Sequence, residues 1–248
     1  MSTELLIGIH SVEAALNYDA GNIVELYVES DSQNPRVREL AERARELGVK
    51  PHARDRAALD RMTGGGRHQG VAARYKAPPA RSDAELPALI EAAGSEALFL
   101  VLDGVTDPHN LGACLRSAEA AGVTAVIVPK DRAVGMTATV RRASAGAADR
   151  VPLVAATNLA RALRVLKDAG VWLTGLAGEA TISLHAIDFR GPVAIVMGGE
   201  GEGMRRLTRE ACDHLAHIPM KGRVESLNVS VATGIALFEV LRQRGAGR

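Results

Sequence analysis

The sequence has little that could cross-link the chain or hold a metal ion. Only two of its 248 residues are cysteines, Cys114 and Cys212, and neither lies in a CxxC or Cys/His pattern. This scarcity excludes a disulfide framework and a structural zinc site, so we expect no bound metal. Both thiols are predicted to serve as small, buried apolar side chains.

Long hydrophobic runs are also missing. No apolar stretch approaches the roughly 20 residues of a membrane-spanning helix. The segment Met1–Gly8 lacks the basic and apolar parts of a secretory signal. We therefore expect a cytoplasmic protein with no membrane partner.

Aromatic residues make up only 3% of the chain, and the net charge is +1. Such a charge balance does not by itself indicate a polyanionic partner. However, 25 of the 30 basic residues are arginines, whose planar guanidinium suits phosphate recognition. Any RNA binding must then depend on arginine, backbone and shape more than on aromatic stacking.

A proline-rich segment divides the chain into two predicted domains. Ala77–Asp83, with the sequence APPARSD, interrupts the regular periodicity and contains no large apolar residue, as is typical of an interdomain linker. We predict a small α/β domain over residues 1–76, a linker and leading helix over 77–96, and a larger α/β domain over 97–248.

Strand and helix patterns alternate in both predicted domains. In the first, residues 35–47 form the clearest helix pattern, because Asn34 can cap it and Pro35 suits its first turn. In the second, near-continuous apolar runs predict a parallel sheet that is buried on both faces. These runs are Leu98–Leu102, Ala125–Val128, Val151–Val154, Val171–Leu173, Val193–Met197 and Leu215–Ile218. An open, layered α/β fold follows.

Ligands of open parallel sheets bind beyond the carboxyl ends of the strands, so polar loops that follow strands are candidate sites. Three such loops cover residues 102–116, 196–204 and 218–230. In the first, Asn110 alone fits a simple helix cap, and Arg116 fits a solvent-facing charge. In the third, Ser226 alone fits an ordinary cap, whereas Asn228 inside a first helical turn indicates a hydrogen bond.

The loop at 196–204, VMGGEGEGM, is rich in glycine, which allows a ligand to approach the backbone closely. It is not a P-loop, because Met204 and Arg205 replace the required Lys and Ser/Thr, and it lacks the third glycine of a dinucleotide fingerprint. No GxSxG motif supports a hydrolase. His214 and His217 are predicted on opposite faces of a strand, which argues against shared metal ligation.

Three stretches resemble the signature motifs of the SpoU branch of the SPOUT RNA methyltransferases. They are NLGACLRSAEAAG at 110–122, IVMGGEGEGM at 195–204 and IPMKGRVESLNVSVATGIALFE at 218–239, in the order typical of that family. GIHSVEAAL at 8–16 and RHQGVAA at 67–73 resemble the family's N-terminal substrate-binding domain. The likeness covers nearly the whole chain, and within the branch it points to enzymes that methylate a guanosine 2′-hydroxyl in the peptidyl-transferase loop of 23S rRNA.

This resemblance implies a SPOUT α/β domain with a deep trefoil knot, preceded by a small L30e-like α/β domain. It also implies S-adenosylmethionine as the cofactor, 23S rRNA or its ribosomal precursor as the substrate, and a homodimer. The resemblance places the cofactor against Gly198, Gly199, Ile218, Met220 and Leu227. It identifies as polar active-site residues Asn110, Arg116, Glu200, Ser226 and Asn228. Recognition of a ribose hydroxyl argues against DNA as a partner.

The family suggests that Arg116 acts as a general base. An arginine side chain has a reference pKa above ~12 and stays charged, so physical chemistry favours phosphate anchoring or oxyanion stabilisation instead. Glu200, Ser226 and Asn228 are then expected to orient the loops and the nucleotide. The group that accepts the hydroxyl proton is left open by the sequence.

The residues Arg67, His68 and Gln69 follow a run of three glycines and are predicted to contact RNA, because long polar side chains can reach phosphates and base edges. A merely mobile surface loop is the alternative. Other functions compatible with the motifs are a tRNA ribose methyltransferase, a resistance methyltransferase that acts at a different 23S site, and a non-catalytic RNA-binding assembly factor.

Overall fold

The computed structural model describes residues 3–76 and 81–245, so Ala77–Ala80 of the predicted linker lie outside the described residues. The described strands, in chain order, are β1 (Glu4–Ile7), β2 (Ile23–Glu29), β3 (Pro51–Arg54), β4 (Val71–Tyr75), β5 (Arg81–Ser82), β6 (Leu98–Asp103), β7 (Ala125–Pro129), β8 (Leu153–Ala156), β9 (Trp172–Leu176), β10 (Ile182–Ser183), β11 (Val193–Gly198) and β12 (His214–His217). The described α-helices are α1 (Ile9–Asp19), α2 (Pro35–Glu46), α3 (Arg56–Thr63), α4 (Leu86–Ala93), α5 (Pro108–Ala120), α6 (Ala138–Ala143), α7 (Leu159–Asp168), α8 (Arg206–Ala211) and α9 (Val229–Gly245).

The chain forms two compact units whose composition differs from the predicted domains. The first unit contains the described residues of 1–79 together with Met136–Arg150, and the second contains those of 80–135 and 151–248. The segment Met136–Arg150 was predicted within the larger domain but packs with the first unit. Periodicity could not show this, because unit membership depends on contacts between residues far apart in sequence.

The first unit is built on a four-stranded mixed sheet with the order β1-β4-β2-β3. β4 pairs antiparallel with β1 and β2, while β2 and β3 are parallel. The predicted helix at 35–47 is confirmed as α2, where the Asn34 side chain accepts a hydrogen bond from the Arg36 N–H at 3.1 Å. Its buried face packs in a core with Leu26 and Tyr75.

The second unit contains an eight-stranded sheet with the order β10-β12-β9-β11-β6-β7-β8-β5, and every described pairing in it is parallel. The predicted parallel α/β sheet is therefore confirmed. All residues of β6 and β7 are buried, as their apolar runs indicated. The short strands β1, β5 and β10 were missed, because two to four residues carry too little periodicity to be recognised.

Strand order decides which loops meet in the second unit. The strands β12, β9, β11 and β6 are consecutive neighbours in the sheet. Because parallel strands end at the same edge, the loops that follow these four strands lie side by side.

Among the described residues, no helix is both long and apolar enough to span a membrane.

Candidate active site

The loops after β9, β11 and β12 enclose a cleft of about 710 Å³ in the second unit. Its lining combines apolar side chains from the strand ends with polar groups from the loops and the start of α9. The five residues predicted to hold the cofactor all line this cleft, namely Gly198, Gly199, Ile218, Met220 and Leu227. Glu200, Ser226 and Asn228 line it as well. The structure thus brings together residues separated by up to 30 positions in the chain.

The glycine loop, Gly198–Met204, is folded so tightly that side chains are excluded at its start. A Cβ on Gly198 would lie 2.2 Å from the carbonyl carbon of Gly203, and one on Gly199 would lie 2.5 Å from the carbonyl oxygen of Gly104. Gly199 and Gly203 exchange two backbone hydrogen bonds of 3.2 Å. Backbone packing therefore requires glycine at positions 198 and 199, where the cleft is lined by backbone and not by side chains.

A chain of side-chain hydrogen bonds links three of the predicted active-site residues. The Nδ2 group of Asn110 donates to Glu200, and Nδ2 of Asn228 donates to Oδ1 of Asn110 at 3.0 Å. Asn228 Oδ1 in turn accepts from the N–H and the hydroxyl of Ser230, at 2.9 Å and 2.6 Å. Residues from α5, the glycine loop and the start of α9 are thereby fixed relative to one another.

Both helix caps at this site differ from the expectation. Asp107, not Asn110, caps α5, since its side chain accepts from the His109 N–H at 2.8 Å. At α9 the Asn228 side chain accepts from the Ser230 N–H, and its carbonyl accepts from the Ala232 N–H at 3.0 Å. Asn228 thus occupies the cap position that was assigned to Ser226. Asn110 is consequently free to bind other side chains.

An ion pair between a buried carboxylate and an exposed arginine, which sequence reasoning missed, holds the far end of the glycine loop. Asp103 ends β6 and is only 1% exposed. It accepts from the Arg205 backbone N–H at 2.9 Å and from Arg205 Nε at 2.6 Å. The available signal was a carboxylate that completes an otherwise apolar strand, because a buried charge requires a partner.

Arg116 and Ser226 do not join the hydrogen-bond chain. Arg116 lies on α5 and is exposed, and it forms no hydrogen bond or ion pair with any residue that the structure describes. Ser226 is exposed on the wall of the cleft and is likewise unbonded within the described ranges. Both side chains are therefore available to a ligand.

The loop after β9 also lines the cleft, although no residue in it was predicted. Leu176 at the end of β9 and Ala177, Gly178 and Glu179 of the loop contribute to the wall. The predicted strand ended at Leu173, whereas β9 continues to Leu176, so the polar loop after it escaped the search for loops that follow strands. Glu179 is hydrogen-bonded to Arg209, and this bond lowers the pKa of its carboxyl group.

The two cysteines and the two histidines of the His214–His217 strand have different surroundings. Cys114 is buried between α5 and α9, where its Sγ lies 3.6 Å from the Thr233 hydroxyl, and burial raises the pKa of its thiol to about 11. Burial also raises the pKa of Cys212 to about 12. His214 stacks on Trp172 while His217 lines the cleft. Within the described ranges, no group of three or more His, Cys, Asp or Glu residues is arranged to hold a metal ion.

In the first unit the three predicted RNA contacts differ in their surroundings. Arg67 is exposed and forms no hydrogen bond or ion pair with another described residue. His68 is only 4% exposed, and its ring nitrogens bind Asp60 and the Gly70 N–H, each at 3.0 Å. Gln69 is exposed, but its Oε1 accepts from the Ile9 N–H at 3.3 Å. Of the three predicted contacts, Arg67 and Gln69 thus present exposed side chains, whereas the ring of His68 is buried and holds the turn.

Comparison with known proteins gives matches to both halves of the chain. Residues 97–238 match the SpoU rRNA Methylase family, and residues 5–80 match a domain described as RNA 2′-O ribose methyltransferase substrate binding. A 23S rRNA (guanosine-2′-O-)-methyltransferase RlmB from Xanthomonas campestris is 58% identical over 239 residues, which cover 96% of each chain.

Solved structures match nearly the whole chain as well. An AdoMet-bound rRNA methyltransferase from Sinorhizobium meliloti is 27% identical, with a TM-score of 0.78, and the match covers 97% of this chain and 87% of that one. The SpoU methyltransferase AviRb from Streptomyces viridochromogenes has a TM-score of 0.82 at 24% identity, with 99% and 91% covered, and supports the fold.

Proposed function

The chain belongs to the SpoU rRNA methylase family, and we propose that it transfers a methyl group from S-adenosylmethionine to the ribose 2′-hydroxyl of a guanosine in 23S rRNA. The observation that carries this proposal is the cleft, in which three family motifs supply the glycine loop, the α9 start and the adjoining Asn110–Glu200–Asn228 hydrogen bonds. We place the guanosine in the peptidyl-transferase loop, in line with the sequence resemblance.

The cleft suits S-adenosylmethionine in size and chemistry. Its volume of about 710 Å³ lies within the usual range for small-molecule sites. Apolar side chains such as Ile218 and Leu227 can cover a flat base, and the glycine loop lets the ligand contact backbone directly. Glu200 and Glu225 place carboxylates on the wall, which favours a cationic ligand. When bound, this cofactor supplies an electrophilic methyl group on a positively charged sulfur.

The polar residues beside the cleft position the acceptor. Asn110, Glu200 and Asn228 hold each other in one arrangement, so little reorganisation is needed when a ribose enters. Arg116 lies on α5, six residues after Asn110, and its guanidinium is unpaired among the described residues and always charged. It anchors the phosphate of the target nucleotide or stabilises the developing oxyanion, and exposed Ser226 orients the nucleotide from the wall of the cleft.

The C-terminal unit is proposed to contain the trefoil knot of its family. β12 lies beyond β9 as seen from β11, yet the chain that follows it returns so that α9 packs against β11 and α5. Such a return is what a threaded C-terminal segment requires. For the N-terminal unit, the mixed four-stranded sheet flanked by helices supports the L30e-like fold.

A homodimer is proposed on the basis of an apolar stripe along α9. Val231 and Phe238 are 52% and 51% exposed, and half-buried Ile235 lies between them at helical spacing. Large apolar side chains in one row on a helix surface are typical of a helix that packs against another one. A second copy of this chain would cover the stripe.

The first unit is proposed to capture the rRNA substrate or its ribosomal precursor. Its match to a substrate-binding family and the exposed, unpaired Arg67 support this role. Of the predicted contacts, Arg67 and Gln69 remain in the proposal and His68 does not.

Transfer of labelled methyl groups tests the proposed function. The full chain is incubated with labelled S-adenosylmethionine and unmodified 23S rRNA, with tRNA in parallel, and the product is mapped by nuclease digestion and mass spectrometry. We expect 2′-O-methylguanosine in the peptidyl-transferase loop. Methylation of tRNA alone, or of another 23S nucleotide, would contradict the proposed substrate. If no methyl group is transferred to 23S rRNA or to a ribosomal precursor, the protein is better described as a non-catalytic RNA-binding factor.

A further inference from the structure

A short chain segment from the methylase half of the sequence is built into the first unit. Residues 136–150 lie inside the 97–238 match to the methylase family, yet they pack with residues of the N-terminal sheet. Within this segment, α6 contacts β1, and Gly146 lies against Ala14 of α1. The surface of the first unit therefore includes residues that its own sequence family does not cover.

Arg141 of α6 anchors this segment in the first unit. Its side chain is 5% exposed, and its Nε donates to Glu4 Oε1 at 2.7 Å while Nη1 donates to Asp149. The guanidinium carbon also lies 4.6 Å from the ring centroid of Tyr75. A buried arginine needs such partners, because an unpaired charge in this position would be strongly destabilising.

The neighbouring Arg142 has the opposite environment. It is exposed and forms no hydrogen bond or ion pair with another described residue. It forms one side of a groove of about 350 Å³, whose remaining lining is Ile7, Thr63, Gly64, Gly65, Gly66 and Thr139. Arg67, the other exposed and unpaired arginine here, directly follows the glycine run that lines this groove.

The local charge balance leaves this groove positive. Arg142 is the one charged residue in its described lining, which contains no acidic side chain. The nearest carboxylates are engaged elsewhere, since Glu4 and Asp149 pair with Arg141 and Asp60 is hydrogen-bonded to His68. The N–H groups of Gly64–Gly66 donate to carbonyls at the end of α3, so the charged donor in the lining is the guanidinium of Arg142, and Arg67 adds a second one next to the glycine run. A guanidinium group can bind two oxygens of one phosphate at the same time. Because the glycine run has no side chains, it leaves room for the sugar-phosphate backbone of an RNA.

We propose that this groove binds a phosphodiester of the RNA substrate, with Arg142 and Arg67 as its two cationic ligands. The inference rests on the proposed function, because that function supplies the RNA. Phosphate contacts position a nucleic acid without reading its sequence, so the groove sets where the RNA lies on the first unit.

The test measures binding of a 23S rRNA fragment to the full chain and to Arg142→Ala over a series of KCl concentrations. Loss of one phosphate contact should weaken binding by at least ~3-fold and reduce the slope of log K against log [KCl] by about 1. Arg45→Ala is the matched control, since Arg45 is also exposed and its side chain is unpaired among the described residues of the first unit. It should leave the slope unchanged.

Two outcomes separate this inference from the proposed function. If Arg142→Ala leaves the RNA affinity and the slope of log K against log [KCl] unchanged, the proposed phosphate site in the groove is wrong, whether or not the full chain transfers methyl groups. An altered slope for Arg142→Ala supports the groove even if the full chain fails to methylate 23S rRNA, in which case only the proposed function is overturned. The affinity of Arg142→Ala for S-adenosylmethionine, measured by calorimetry, should equal that of the unaltered chain.

Discussion

The cleft of the second unit and the groove of the first unit both carry polar side chains, but these are organised in opposite ways. In the cleft, Asn110, Glu200 and Asn228 bind one another and are fixed before any ligand arrives. At the groove, Arg142 and Arg67, which follows the glycine run, bind no other described residue. Preorganised dipoles suit a reaction that needs one geometry, whereas free cations suit a polyanion whose phosphates can shift.

Arg116 is the exception in this comparison, since it belongs to the proposed active site but is as free as the groove arginines. If it acts on the reacting nucleotide, Arg116→Ala should lower methyl-transfer turnover by about 10²- to 10³-fold and leave S-adenosylmethionine affinity intact. Single-turnover assays with saturating rRNA measure this effect. Arg164→Ala is the matched control, because Arg164 is an exposed, unpaired helix residue of the same unit.

Arg67→Ala is expected to change RNA binding and turnover in the opposite way from Arg116→Ala. It should weaken rRNA binding and leave turnover at saturating RNA near normal, because it is placed in capture and not in chemistry. If Arg116→Ala instead behaves like Arg67→Ala, with only its RNA affinity reduced, Arg116 is a further phosphate contact and does not act in the methyl transfer.

Gly198→Ala tests whether the cleft wall depends on backbone packing. The new Cβ would lie 2.2 Å from the carbonyl carbon of Gly203, so the glycine loop must move. We expect S-adenosylmethionine affinity to fall by about 100-fold. Gly191→Ala is the control, since nothing lies within 4 Å of its Cβ position. Calorimetry measures affinity, circular dichroism checks the fold, and near-normal affinity for Gly198→Ala would contradict a rigid wall.

Two substitutions of Asn228 separate its cap from its bond to Asn110. Asn228→Ala removes both and should lower the free energy of unfolding by about 1 kcal/mol together with activity. Asn228→Asp keeps the acceptor that caps α9 but loses the donor to Asn110, so stability should be largely kept while activity still falls. Urea unfolding and methyl transfer are the measurements. Equal loss of stability in both variants would argue against the cap.

The smallest expected effect concerns the pKa values of two carboxylates, the buried Glu239 of the second unit and the partly buried Glu4 of the first unit. Hydrogen bonding from Arg242 lowers the pKa of Glu239 to about 2, whereas burial raises the pKa of Glu4 above 4.5. The stabilisation from ionised Glu239 is therefore present above pH 4.5 and lost as the pH falls towards 2. The contribution of Glu4 has the opposite sign: it is complete below pH 4.5 and decreases as the pH rises through its raised pKa.

Urea unfolding between pH 2 and 7 checks these signs. Glu239→Gln should reduce the loss of stability on acidification between pH 4.5 and 2. Glu4→Gln should remove the part of stability that declines above pH 4.5. Glu91→Gln is the control, because Glu91 is exposed and unpaired in the described part of the second unit. If both variants change the pH dependence of stability in the same direction, the opposite pKa shifts assigned to Glu239 and Glu4 are wrong.

Much of the second unit could be predicted from its amino-acid pattern. The apolar runs gave the strands of a parallel sheet, since burial on both faces leaves a local signature that does not depend on strand order. The motif loops identified Gly198, Ile218 and Leu227, all of which line the cleft. Strand ends were less accurate, and the early end assigned to β9 hid the contribution of Glu179.

Which polar side chains are paired with other residues and which are left unpaired could be seen only in the folded structure. Asp103 binds Arg205, a pairing that the sequence did not reveal. His68 was predicted to contact RNA, but its ring binds Asp60 and the Gly70 N–H. Arg141 and Arg142 are adjacent in the chain, yet one is buried in ion pairs and the other faces solvent. Charge pairing depends on distances through space, and these arise only when strand order and packing bring distant residues together.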